Sequence, residues 1–79
     1  MAFQISEDQR FYLAKALGEE LTTGGSVTTL YVYQSMEKRG WLRHTFERPA
    51  RSCWVITDMG RIVARQLRLT PEYAKDEQP

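Results

Sequence analysis

Residues 41–56 constrain this chain more than any other stretch. Trp41-Leu42-Arg43-His44-Thr45-Phe46 and Ser52-Cys53-Trp54-Val55-Ile56 are dense in aromatic and β-branched side chains, which suit a pleated, half-buried strand. Between them, Glu47-Arg48-Pro49-Ala50-Arg51 contains a proline, which cannot donate to a ladder and belongs at a turn or an edge. The two runs read as an antiparallel hairpin. Its register stays open, because a slip of one residue exchanges the faces of every side chain. A two-stranded hairpin is marginal by itself in water, so the flanking segments must cover one of its faces.

Those flanks have helical periodicity. Ser6 and Gln9 match a capping box, with Glu7 and Asp8 in the first turn where the helix dipole favours carboxylates. Leu13, Ala14, Leu17 and Leu21 extend an apolar stripe, and Thr22-Thr23-Gly24-Gly25 is expected to end this first helix. A second helix is expected from a cap at Thr28 or Thr29 to Gly40. Thr29, Val32, Tyr33 and Met36 lie on its inner face, and Tyr31, Gln34, Ser35 and Lys38 on its outer face. After the hairpin, Thr57 caps a last helix with Asp58 in its first turn. Met59, Ile62, Val63 and Leu67 form its stripe, which suits either packing on the first helix or a dimer contact. Thr70-Pro71 stops that helix and can start a short turn of another. The reading is one domain over residues 1–70 and a polar tail over 71–79.

At 79 residues the chain is one small domain, and a domain of this size removes only ~60% of its unfolded surface from water. Cys53 is the only cysteine, so no internal disulfide can form. A lone thiol suits a reducing compartment. The start Met-Ala-Phe-Gln-Ile lacks the basic segment and apolar run of a secretory leader, and no stretch approaches the length of a bilayer span. A cytoplasmic protein without a membrane partner is the expectation. Net charge is +1, but it is unevenly spread. Lys38, Arg39, Arg43, Arg48, Arg51, Arg61, Arg65 and Arg68 face only Glu37, Glu47 and Asp58 between residues 26 and 70, and both ends of the chain are mildly acidic. Such a block favours an anionic partner at the middle, and it also suits a solvated charged surface.

The joints around the hairpin carry the most information. Met36-Glu37-Lys38-Arg39-Gly40-Trp41-Leu42 closes the second helix and opens the first strand. Trp54-Val55-Ile56-Thr57-Asp58-Met59-Gly60-Arg61 closes the hairpin and opens the last helix. In this order and at this distance, the two resemble the winged-helix transcription regulators of the MarR and PadR types, over about residues 10–68. The match departs from those families in having few residues ahead of the first helix, and in a connection from Thr22 to Val27 longer than a tight helix-turn-helix turn. The resemblance implies a mainly α fold with a small antiparallel β-hairpin, a winged helix-turn-helix, of bacterial or phage type. It further implies double-stranded DNA as partner, with a homodimer left open. Trp41 and Trp54 fall where the family buries large apolar groups.

On this reading the recognition helix spans about 28–39 and the wing about 41–56. Thr28, Tyr31, Gln34 and Ser35 would face bases, Gln34 by a bidentate pair with adenine. Lys38, Arg43 and His44 would hold phosphates, and Arg48 and Arg51 on the wing would reach the minor groove or the backbone. A second reading is a winged-helix module for protein interaction, an adaptor or a phage-type inhibitor of a host complex. The near-neutral total charge favours it. A DNA-mimicking surface lacks the concentrated acids it would need. His44 and Cys53 could approach each other across the hairpin, but they have neither a third ligand for zinc nor the orienting group of a catalytic dyad. Gly24-Gly25 lacks the lysine and spacing of a phosphate loop. No enzyme activity, metal or cofactor is expected.

Overall fold

The computed structural model describes residues 4–48 and 51–75. The elements run α1 (Glu7–Ala16), α2 (Val27–Lys38), β1 (Leu42–Arg48), β2 (Arg51–Ile56), α3 (Asp58–Gln66) and α4 (Pro71–Lys75). The fold is mainly helical, with one two-stranded antiparallel hairpin. Among the described residues no helix is long and apolar enough to cross a membrane.

The capping box forms as the sequence suggests. Ser6 Oγ accepts the Gln9 backbone N–H at 3.0 Å and Gln9 Oε1 accepts the Ser6 N–H at 3.2 Å. The helix, however, stops at Ala16 and not beyond Leu21. Leu21 instead exchanges two backbone hydrogen bonds of 2.9 Å with Trp54, along the edge of β2 that β1 leaves free. Its side chain is buried, as its place in the helical stripe also required, so the apolar pattern alone cannot separate a further helical turn from a strand bridge. The connection to α2 therefore spans residues 17–26.

Ser26, not Thr28 or Thr29, caps α2: its hydroxyl accepts the Thr29 N–H at 3.2 Å. The hairpin is longer than expected and its connection shorter, because Glu47, Arg48 and Arg51 belong to the strands. Pro49 and Ala50 lie outside the described residues. Trp41 precedes β1. The register pairs Leu42 with Ile56, Arg43 with Val55, His44 with Trp54, Thr45 with Cys53 and Phe46 with Ser52. An irregularity at Glu47 then brings Arg48 opposite Arg51.

One buried cluster joins all the layers. Leu13, Ala14 and Ala16 of α1 meet Tyr33 and Met36 of α2, Leu42 and Trp54 of the hairpin, Val63 and Ala64 of α3, and Ala74 of α4. Aromatic rings run through it in series. Phe11 lies edge-on to Tyr12, Tyr12 edge-on to Tyr33, and Tyr33 meets Trp54 at 5.1 Å between centroids. Such pairs add about 0.5–1.5 kcal/mol each beyond area burial. The Tyr33 hydroxyl donates to the Thr22 carbonyl at 2.9 Å, which ties α2 to the preceding loop. Burial pushes the Tyr33 phenol pKa well above its usual value, with Tyr12 and Glu19 adding to the effect.

The buried side of α3 is Gly60, Val63 and Ala64, with Leu67 half-covered. Met59 and Ile62, expected within that stripe, stay exposed. The helix ends at Gln66 and not at Thr70. The Leu69 N–H reaches back to the Ala64 carbonyl at 2.9 Å, with Arg68 in the left-handed region at φ 59°, a Schellman-type stop. The segment read as a polar tail begins as a helix. Pro71 opens α4, which packs on α1 and buries Ala74. Residues 76–79 lie outside the described residues.

Candidate nucleic-acid interface

The two joint motifs that carry the sequence resemblance meet in space. Gly40, at φ +82°, ends α2 and turns the chain into β1. Thr57 serves both sides of the contact. Its Oγ1 donates to the Gly40 carbonyl and accepts the Gly60 N–H at 3.0 Å as the cap of α3. Its backbone N–H donates to the Trp41 carbonyl at 3.0 Å. Gly60 is where the α3 backbone touches the joint. A Cβ there would run into the Trp41 carbonyl oxygen and lie 2.8 Å from Ile56 Cγ1. Arg39 completes the lock: its guanidinium stacks over the Trp41 ring at 4.0 Å, and Nη1 donates to the Gln4 carbonyl and to Gln9 Oε1. These residues hold α2 and the hairpin at a fixed angle.

What that lock presents is the outer face of α2. Steps of four, three and four residues put Val27, Tyr31, Gln34 and Lys38 in one line along the helix, and all four are exposed, Tyr31 to 65%. Thr28 is exposed beside them. Among the described residues, none of these side chains makes a hydrogen bond or ion pair within the chain. The one ion pair described is Lys15–Glu19 at 3.8 Å. The line carries an amide, a phenol and a terminal ammonium, so it can donate and accept hydrogen bonds along its length and offers a cation at the helix C-terminus.

The other candidate residues divide. Ser35 is not an outward group: it is half-buried, it receives a hydrogen bond from Gln9 Nε2 at 2.9 Å and it donates to the Val32 carbonyl at 2.6 Å. It clamps α1 to α2. His44 is absorbed into the aromatic series, stacked on Trp54 at 4.4 Å and edge-on to Phe46 at 4.6 Å, with Nε2 buried. Arg43 is exposed, but it alternates with His44 along β1, so it stands on the hairpin face opposite Trp54 and Tyr33. It is not gathered with the α2 line. Arg48 and Arg51 are directly paired in register at the end of the hairpin, and their side chains lie outside what the structure describes. His44 and Cys53 do not approach as a pair, since their cross-strand partners place them on opposite faces. Cys53 is buried.

Sequence reasoning missed Val27 as the start of the outer line, because it placed the cap two residues late. Ser26 was the available signal: a serine after two glycines and before a β-branched run. Comparisons with protein-family models, with curated proteins and with solved structures find no match for this chain.

Proposed function

We propose that the chain is a small DNA-binding module of the winged-helix kind, used as a transcription regulator, which lays the outer face of α2 in the major groove. The observation that carries this reading is the line Val27–Tyr31–Gln34–Lys38, exposed and without internal partners among the described residues, on a helix that the joint holds in place. A helix of about 10–12 Å diameter enters a groove of about 12 Å width. Gln34 supplies the donor–acceptor pair that matches an adenine edge, and Thr28 and Tyr31 add hydroxyls beside it. Lys38 holds a phosphate, where it also neutralises the negative end of the α2 dipole.

Arg48 and Arg51 lie opposite one another in the register at the end of the hairpin, and on this reading the wing reaches the minor groove or the backbone there. Arg43 and His44 are left out of this interface, and Ser35 serves it only by holding α2 on α1.

A second reading has an observation of its own. Val27, Tyr31 and Phe46 are large apolar groups left exposed, and a protein partner would cover them better than a duplex. The test is binding to mixed-sequence duplex DNA by fluorescence anisotropy. On the DNA reading, Gln34→Ala narrows the gap between preferred and random sequences, while Lys38→Ala weakens binding to all sequences alike. If the chain binds no duplex at low salt, the face belongs to a protein interaction.

A further inference from the structure

β1 has two edges, and only one of them is paired. Trp54 uses its N–H and C=O on Leu21, on the far side of β2. It is therefore the non-hydrogen-bonded partner of His44, and the β1–β2 ladder closes through Arg43–Val55 and Thr45–Cys53. The N–H and C=O groups of His44 and Phe46 point the other way, to the outer edge of β1. Among the described residues no backbone or side-chain group bonds to them there. Two donors and two acceptors thus stand in a row, with about 7 Å between the two residues. Folded proteins commonly blunt such an edge with a proline, a lysine or a bulge. Leu42 to Phe46 has none of these, and the irregularity at Glu47 comes after it.

The side chains beside this edge differ between its two faces. Phe46 is 72% exposed, with its ring edge-on to His44, and both stand on the face of Trp54. Arg43 stands on the opposite face, exposed and in no ion pair among the described residues. Thr45, Cys53 and Val55, which share that face, are uncharged. Glu47 and Arg48 follow beyond the irregularity and are of opposite sign. An antiparallel strand laid along the edge would set its residues on these two faces in turn. Those opposite His44 and Phe46 would exchange hydrogen bonds with them and lie against an aromatic surface. The one opposite Arg43 would lie against a free guanidinium.

We propose that the outer edge of β1 binds an extended segment of a protein partner by antiparallel strand addition. The segment alternates apolar residues, set against His44 and Phe46, with acidic residues, set on the side of Arg43. Main-chain bonds supply the affinity, and the alternating side chains supply the choice of partner. None of these residues lies on α2, so the site is separate from the surface proposed to read DNA.

Titration of the full chain with the peptide acetyl-Val-Glu-Val-Glu-Val-amide, up to about 1 mM and followed by backbone amide chemical shifts, tests this. The shifts should saturate and centre on His44 and Phe46. N-methylation of the third and fifth residues of the peptide, whose N–H groups face β1, should abolish binding. N-methylation of its two glutamates, whose N–H groups face away, should leave it. A peptide with lysine in place of glutamate should bind at least about fivefold more weakly, and Arg43→Glu should reverse that preference. Phe46→Ala should weaken binding about threefold while circular dichroism stays unchanged, because the ring is mostly in solvent. Absence of saturable binding would overturn the proposal. So would equal losses from the two N-methylated peptides, or a lysine peptide that binds as well as the glutamate one. Failure of DNA binding would leave these outcomes unaffected, because none of the altered residues lies on α2.

Discussion

The joint between α2 and the hairpin and the outer face of α2 are a few residues apart in sequence and opposite in character. At the joint Arg39, Thr57 and Gly60 are all engaged. Thr57 bonds to Gly40 and Gly60, Arg39 covers Trp41, and Gly60 leaves no room for a side chain. On the outer face Tyr31, Gln34 and Lys38 make no bond within the chain among the described residues. Polar side chains satisfied internally stabilise a fold. Polar side chains left to solvent in a line on a rigid helix are available to a partner. Arg39, Gly40, Trp41, Thr57 and Gly60 of the two motifs thus set the geometry, and the residues proposed to read DNA are Thr28, Tyr31 and Gln34, ahead of the first motif, with Lys38 inside it.

This contrast predicts different consequences for substitutions in the two regions. The largest effect is expected at Gly60. A methyl group there meets backbone, which cannot swing aside, so Gly60→Ala should cost about 3 kcal/mol in urea unfolding. A cost near zero would mean that the joint is not the lock described. Thr57→Ala should come next, at about 1–2 kcal/mol, because it removes a helix cap together with the bond to Gly40. Thr57→Ser should restore most of it.

Tyr33 lies beneath α2 and tests the region between the two. Its folded pKa is raised, because burial disfavours the phenolate. Its contribution is therefore fully present below the ordinary tyrosine value near 10 and is lost as pH rises through the raised folded value. Tyr33→Phe should cost about 1 kcal/mol at neutral pH through loss of the bond to Thr22. The stability gap between wild type and variant should then close as pH rises above about 10. A gap independent of pH would contradict a buried, proton-retaining phenol. The smallest effect on stability belongs to the outer face, where Gln34→Ala and Lys38→Ala should each stay within about 0.5 kcal/mol of wild type. A larger loss would show that this face also has structural work.

How much could be read in advance follows the same division. The Ser6–Gln9 box and the Thr57 cap were legible because each is a local contact between residues three apart. Trp41 and Trp54 were legible as core because the resemblance places them at joints where large apolar groups are buried, and both are buried. Leu21 was not legible as a bridge residue, since its partner Trp54 is distant in sequence and an apolar side chain fits a helical stripe as readily as a buried bridge. Ser35 and His44 carry the chemistry of an interface. Only the packing of α1 against α2, and the hairpin register, show that Gln9 and Trp54 occupy them. The exposure of Met59 and Ile62 was equally hidden, because Gly60 and Ala64 bring the other side of α3 against the core.

The most direct test of the central claim is duplex DNA binding across a salt series, wild type against Lys38→Ala. Steep salt dependence in the wild type, with a slope reduced by about one unit in the variant, is the predicted result. Equal slopes in the two proteins, or no binding at the lowest salt, would contradict groove docking by the outer face of α2.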